Sequence, residues 1–314
     1  MARPQPKLAA LSVDLDEIPN YFAIHGLPHS PEDRRAHAVY ERAVPRFRAL
    51  LAELSVPCTF FVIGSDLQDE RAMSETRLLA NAGHELANHT QNHRYDLTRL
   101  SRAEMTREVM QGMQSIARAQ GRPPAGFRAP GYTITDELFD VLSECHVAYD
   151  SSVFPCPAYW AAKTSMIGWI SLRGRQSRSV VDTPAMLQAP ADPYRVGDPY
   201  WRKSDAEGGL IELPIGVTRG ARLPYIGTSV MLAGTRANWL TSMMLGRPLI
   251  NLEMHGLDLL GAGEDDLASL AVHQRDLAVS VELKLNTLRA VVKQLQRSGY
   301  RFVTLFEAAR HFAS

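Results

Sequence analysis

Two acidic residues near the front of the chain and two histidines about seventy residues later define the chemistry it can do. Asp14 and Asp16 stand two apart at the end of one apolar run, and His89 and His93 stand four apart after another. Asp16, His89 and His93 would supply one oxygen and two nitrogen ligands. A borderline divalent metal uses that set while keeping a coordination position open. Asp14 would then be a second carboxylate beside the metal, free to act as a base. Two crowded carboxylates repel, and a cation relieves them. The plain alternatives are an aspartate capping a turn and a histidine pair of ordinary surface or core. Their joint occurrence at the ends of two separate runs favours metal-assisted hydrolysis.

Other polar residues fall at comparable places. Arg128, in Phe127-Arg-Ala-Pro-Gly-Tyr132, is suited to pair with Asp14 and fix its orientation. Backbone N–H groups of Gly131 or Tyr132 could face a developing oxyanion. His255 ends a further apolar run, and an imidazole titrating near neutrality suits protonation of a leaving amine. It needs a carboxylate to orient it, and Asp150 and Asp258 are the candidates. Tyr21, His25 and His29 follow the acidic pair and would line a substrate cleft, while His84 reads as structural.

These residues need a frame. Apolar stretches at 7–14, 57–63, 84–88, 126–129, 147–151, 209–214, 248–255 and 301–305 read as strands. Helical patterns intervene at 33–55 (with Pro45 as a kink or break), 67–82, 135–144 and 268–298. A further helix opens at Ser101, where Glu104 completes the spacing of a capping box. Strand followed by helix, repeated, is the pattern of an α/β fold with a parallel sheet, which places its sites at the C-terminal strand ends. Residues 155–209, rich in proline, arginine and tryptophan, break the rhythm and read as an inserted lobe or a long ordered loop over the site. The whole chain, 1–314, reads as one catalytic domain containing that segment.

Composition narrows the function further. Lys plus Arg and Asp plus Glu number 34 each, so no basic face for nucleic acid is expected. Three cysteines cannot all pair and lack metal-type spacing; Cys58 reads as a buried thiol. No leader-type apolar region precedes the first strand, and no apolar stretch reaches the ~20 residues of a spanning helix. The expectation is a cytoplasmic, thiol-reduced protein without a transmembrane segment. The run Trp239-Leu-Thr-Ser-Met-Met-Leu245 reads either as a core helix or as a peripheral membrane contact.

Taken in order, Ser-Val-Asp14-Leu-Asp16, Gly83-His-Glu followed by His89-Thr-Gln-Asn-His93, Arg128-Ala-Pro130-Gly-Tyr132, Tyr149-Asp150-Ser-Ser and Leu252-Glu-Met-His255 resemble the motifs of the polysaccharide deacetylases. These are the carbohydrate esterase family four proteins with a NodB homology domain. Glu212-Leu-Pro214 resembles a strand after the family's central region. The resemblance implies a distorted, TIM-barrel-like (β/α) barrel of seven or eight strands. It implies a divalent metal, typically zinc, with cobalt or nickel as alternatives, and hydrolysis of an N-acyl, usually N-acetyl, group from an amino sugar. By the same resemblance Asp14 is the base, Asp16, His89 and His93 the metal ligands, Arg128 the positioner of the base and His255 the general acid. The motifs depart from those of chitin and peptidoglycan deacetylases in two ways. Leu15 separates the two aspartates, as in the branch with allantoinase-like proteins and lipid-linked aminoarabinose deformylases, and Tyr149-Asp150-Ser-Ser replaces the usual fourth motif. A small nucleotide-linked or lipid-linked amino sugar is therefore the expected substrate, and a homo-oligomer is compatible with this reading. An allantoinase-like cyclic amide hydrolase and a catalytically silent sugar- or metal-binding module are the rivals.

Overall fold

Seven consecutive buried residues, Leu8–Asp14, begin the molecule's central sheet as strand β1. A strand with no exposed position needs cover on both faces, and a parallel sheet curled into a barrel supplies it. The computed structural model describes residues 6–29, 35–181 and 183–313. After β1 come β2 (Thr59–Val62), β3 (Glu85–Asn88), β4 (Gly126–Phe127), β5 (Tyr149–Asp150), β6 (Tyr194–Arg195), β7 (Ile211–Glu212), β8 (Leu249–His255) and β9 (Arg301–Phe302). They lie in the order β6-β7-β5-β4-β3-β2-β1-β8, with β9 also on β1, and every pairing is parallel except β6 with β7. The helices are α1 (Ile18–Ile24), α2 (Val44–Leu54), α3 (Glu70–Asn81), α4 (Arg102–Gln120), α5 (Asp136–Glu144), α6 (Pro157–Leu172), α7 (Gly227–Ala233), α8 (Ala237–Ser242), α9 (Ala268–Ala271), α10 (Val281–Arg297) and α11 (Leu305–Ala313). The expected α/β barrel of parallel strands forms in this distorted version.

Strand alternation sorts side chains into two layers. Leu8, Ala10, Phe61, Ala87, Tyr149, Ile211, Leu213 and Leu249 fill the inside of the curled sheet. Ala9, Leu11, Val13, Phe60, Val62, Leu86, Ile250, Leu252 and Met254 face outward to the helices. α11 plugs the bottom: Leu305, Ala308 and Ala309 join the inner cluster, and the Thr59 hydroxyl and buried Glu85 carboxylate accept its first N–H groups. The circle closes without a regular ladder. Gly216 N–H donates to the Asn251 carbonyl at 3.0 Å, and a single bridge joins Ile226 to Glu253. A Cβ on Gly216 would stand 2.5 Å from that carbonyl, so only glycine permits the approach.

Several expected elements differ. The helix expected at 33–55 has its first two positions outside the described residues; beyond them a wide π turn, Val39–Ala43, leads into α2. Pro45 sits in the first turn of α2, where its missing N–H leaves no bond unmade. The long helix expected at 268–298 is three pieces, α9, a 3-10 turn at Arg275–Ala278, and α10, which Ser280 caps. Leu305 starts α11 instead of ending a strand. Residues 155–209 contain α6, an ordered 16-residue helix with no periodic polar pattern to announce it, together with the edge strand β6. In the run 239–245, Leu240 and Met244 enter the core while Trp239 stays outside.

Candidate active site

The inward positions at the C-terminal end of the barrel are polar. Asp14 ends β1 facing inward, Leu15 turns out into the helix-side core, and Asp16 turns in again. His89 follows β3, and a non-helical turn with Thr90 and His93 in the left-handed region (φ 67° and 51°) brings His93 beside it. The spacing of four thus works through an irregular turn. The Thr90 hydroxyl accepts the His93 N–H and holds that turn.

Asp16 Oδ1 lies 3.3 Å from His89 Nε2 and 3.2 Å from His93 Nε2. Asp16 Oδ1 and His93 Nε2 are buried and satisfy no hydrogen bond. His89 donates through Nδ1 to the Arg128 carbonyl at 2.8 Å, which turns its Nε2 toward Asp16. Three ligand atoms within 4.8 Å of one another, with unpaired buried donors and acceptors among them, fit a divalent cation with an O,N,N donor set. Burial works against ionisation of Asp16, but the two imidazoles outweigh it and hold its carboxyl well below the usual range. Burial keeps the His93 pKa low, whereas the charges of Asp14 and Asp16 outweigh burial at His89 and raise it.

Asp14 is engaged differently. Its Oδ1 accepts from Arg128 Nη1 at 2.6 Å, while Oδ2 faces His89 Nε2 at 3.8 Å. Arg128 is wholly buried. It also donates to the Ser12 hydroxyl and to the Ser151 carbonyl and hydroxyl, and its guanidinium lies 4.0 Å from the Phe61 ring centre. Asn251 ties the same serines together from β8.

His255 Nε2 stands 3.9 Å from Asp16 Oδ2, and its Nδ1 faces Glu253 Oε1 at 2.9 Å. Glu253, fully buried, is therefore the carboxylate that orients His255. Burial would lower the His255 pKa, but the Glu253 charge outweighs it and lifts the pKa well above the ordinary value. Both earlier candidates are corrected. Tyr149 faces the barrel interior, so Asp150 faces the other way; there it accepts from the Ser152 N–H and hydroxyl and sits in register with Glu212. Asp258 accepts the His255 backbone N–H at 2.8 Å and so holds the main chain, not the ring. The residue overlooked, Glu253, had a signal: two positions before His255 on a strand means the same face.

These groups open into a cavity of about 430 Å³. Tyr21, on α1, and His25 line it, with Tyr95, Gly131, Tyr132, Asp276 and the inner face of α6. The Tyr21 hydroxyl, His25 Nε2 and both Asp276 carboxylate oxygens are buried without a hydrogen-bond partner. Burial, helped by the neighbouring His273 and Arg175, depresses the His25 pKa to about 4, so it is neutral at pH 7. His29 does not line the cavity; it packs on Phe22. Gly131 and Tyr132 both adopt left-handed backbone, and Tyr132 N–H is taken up by the Ala129 carbonyl. Of the two expected oxyanion donors, Gly131 N–H remains.

Fold and site together define a distorted parallel α/β barrel with an acidic and histidine-rich centre at its C-terminal mouth. The polysaccharide deacetylase family model matches residues 36–149. A chitooligosaccharide deacetylase from Rhizobium leguminosarum bv. phaseoli is 37% identical over 95 residues, 30% of this chain and 41% of that protein. The matched part therefore spans about two fifths of that relative. A candidate polysaccharide deacetylase from Mycobacterium smegmatis shares the fold over 96% of this chain and 95% of its own, with a TM-score of 0.53 at 18% identity. A family four pseudoenzyme from Bacillus anthracis does so over 98% and 66%, with a TM-score of 0.52 at 12% identity. Residues 36–149 thus match the polysaccharide deacetylase family, and the fold is shared over nearly the whole chain.

Proposed function

We propose that this protein hydrolyses an N-acyl group, an acetyl group in the first instance, from an amino sugar, using a divalent metal of which zinc is the first choice. The observation that carries the reading is the division of labour between the two aspartates. Asp16 presents an unpaired oxygen to two imidazoles, while Asp14 is held by Arg128. Asp16, His89 and His93 would hold the ion, which when bound lowers the pKa of a water and polarises an acyl oxygen.

Asp14 takes the proton from the attacking water, and Arg128 keeps its carboxylate aimed. Gly131 N–H faces the oxyanion of the tetrahedral adduct. His255, backed by Glu253, gives its proton to the departing amine. The buried polar atoms of Tyr21, His25 and Asp276 that make no hydrogen bond suit a substrate rich in hydroxyls, as a sugar is. The chitooligosaccharide deacetylases among the relatives support this class, and the free cysteines fit a reducing, cytoplasmic location.

A fold shared with a pseudoenzyme makes the residues, not the fold, the basis of the proposal. The complete set of base, ligands and acid argues against a silent module, and the intact histidine pair argues against a metal-free, allantoinase-like site. The test is acetate release from N-acetylamino sugars by chelator-treated protein, before and after zinc, cobalt or nickel is restored. Metal-dependent release that Asp14→Asn abolishes is expected; full activity of Asp14→Asn would overturn the assignment.

A further inference from the structure

The surface of α6 is not wholly that of a helix facing water. Its sixteen residues, Pro-Ala-Tyr-Trp-Ala-Ala-Lys-Thr-Ser-Met-Ile-Gly-Trp-Ile-Ser-Leu, carry one charge, and only Ile170 is buried. Ala158, Ala162 and Met166, at helical spacing, turn toward the cavity with Tyr159 and Lys163. The Lys163 ammonium is tied to the Gly131 carbonyl at 2.8 Å. The outward side carries Thr164, Ser165 and Ser171, as a water-facing helix does, but also shows Trp169 at 45% and Leu172 at 88% exposure. Three arginines follow at 173, 175 and 178, and the Arg173 guanidinium stacks 3.7 Å above the Trp169 ring centre.

The charge of this segment is one-sided, as it also is over residues 213–252. Residues 151–181 hold four basic side chains and no acidic one, although acids and bases balance over the whole sequence. Among the described residues, no ion pair engages Arg173, Arg175 or Arg178. The segment after α6 is nevertheless anchored: Ser177 Oγ donates to the Ile24 carbonyl and Arg178 N–H to the Ala23 carbonyl. Among the described residues no helix is long and apolar enough to cross a membrane. A helix with tryptophan and leucine outward, an arginine cluster at one end and no acid is built to lie in the plane of an anionic lipid surface.

We propose that α6 and the arginines after it dock the protein on anionic membrane surfaces, with the cavity mouth at headgroup level. Trp169 and Leu172 enter the interface while Arg173, Arg175 and Arg178 meet lipid phosphates. The inner face of the same helix lines the cavity, so docking brings the site to whatever the membrane carries. Resting on the deacylation reading, this selects an amino sugar held on a lipid carrier over one held on a nucleotide.

Vesicle co-sedimentation of the full chain tests the docking without any activity readout. The chain should sediment with vesicles of equimolar phosphatidylglycerol and phosphatidylcholine and not with phosphatidylcholine alone, and about 0.5 M salt should release it. The double variant Trp169→Gln/Leu172→Gln should bind at least ~10-fold more weakly, and Arg173→Glu/Arg175→Glu should lose the preference for anionic lipid. The single variant Leu172→Gln, at the most exposed position, guards against a folding artefact and should also weaken binding at an unchanged melting temperature. Three results overturn the proposal. These are no sedimentation with anionic vesicles at low salt, undiminished binding of the double variant, or a soluble dimer in sedimentation velocity that the double variant dissolves. If no N-acetylamino sugar is deacylated yet vesicle binding behaves as stated, the docking stands and only the substrate assignment falls.

Discussion

Arg128→Met, in chelator-treated protein, is the sharpest test of how the site is held together. Arg128 is fully buried, and every group it reaches is buried too: Asp14 at 1% exposure, and Ser12 and Ser151 at 0%. Methionine roughly fills the volume but removes the charge and all four hydrogen bonds, to Asp14, Ser12 and twice to Ser151. Breaking a buried pair by deleting one partner costs about 3–5 kcal/mol, mostly from the charge left behind. A chain of 314 residues has an unfolding entropy of roughly 0.7 kcal/mol/K, so the melting temperature should fall by about 4–8 °C. Urea denaturation gives the same quantity independently. Combining Arg128→Met with Asp14→Asn removes the stranded charge, and the double variant should recover at least ~1 kcal/mol relative to additivity. A single-variant loss below about 1 kcal/mol, or strict additivity in the double, would refute the claim that Arg128 compensates Asp14.

Three further outcomes follow from the same geometry. His93→Ala should abolish the stabilisation that zinc gives the parent protein. At a hundredfold excess over the dissociation constant that stabilisation is about 2.7 kcal/mol, or roughly 4 °C by differential scanning fluorimetry; an undiminished shift would remove His93 from the ligand set. Glu253→Gln, which keeps the volume but not the charge beside His255 Nδ1, should lower the rate of acetate release about 100-fold or more. It should also shift the loss of rate at high pH to lower pH, because His255 then loses its proton earlier. Asp265 tests stability against pH. Burial would raise its pKa, but hydrogen bonds from Arg46 and the Gly261 N–H hold it below the usual carboxylate range. A lowered folded-state pKa means stability fully present above about pH 5 and lost as pH falls through that pKa. The melting temperature should therefore drop more steeply in acid for the parent than for Asp265→Asn, and parallel curves would sink the assignment.

The sequence was legible where period and function coincide. Asp14 and Asp16 share a face as the strand period demands, even though β1 ends at Asp14, because Leu15 is anchored in the outer core. The same period would have found Glu253 beside His255 and turned Asp150 away, since Tyr149 occupies the inner face. A reading by position at strand ends instead favours Asp150 and passes over Glu253. The turn joining His89 to His93 could not be read, because left-handed residues such as Thr90 and His93 are stabilised by local bonds that leave no periodic trace. α6 was invisible for a related reason. Periodicity detects a helix by the contrast between a wet and a dry side, and α6 has apolar residues on both. α11 was hidden by its shortness, and by inner-face residues that seal the end of a barrel rather than a flat sheet.

The uneven closure of the barrel divides it into parts with different freedom to change. Asp14, Asp16, His89, Arg128 and His255 all come from β8, β1, β3 and β4 or the turns after them, along an unbroken run of parallel ladders. Across the seam, where Gly216 meets Asn251, register is held among the described residues by one backbone bond, one bridge, the amide of Asn251 and the Arg247 guanidinium on the Val217 and Thr218 carbonyls. Between β5 and β8, Ser151, Ser152 and Lys163 are tied to Arg128, Ala129 and Gly131, so exchanges that reshape the mouth of the cavity are best tolerated beyond those contacts. Selection for a new substrate therefore has a place to act, in the part of 155–226 that makes no bond to Arg128, Ala129 or Gly131, outside the strands that carry the reacting groups.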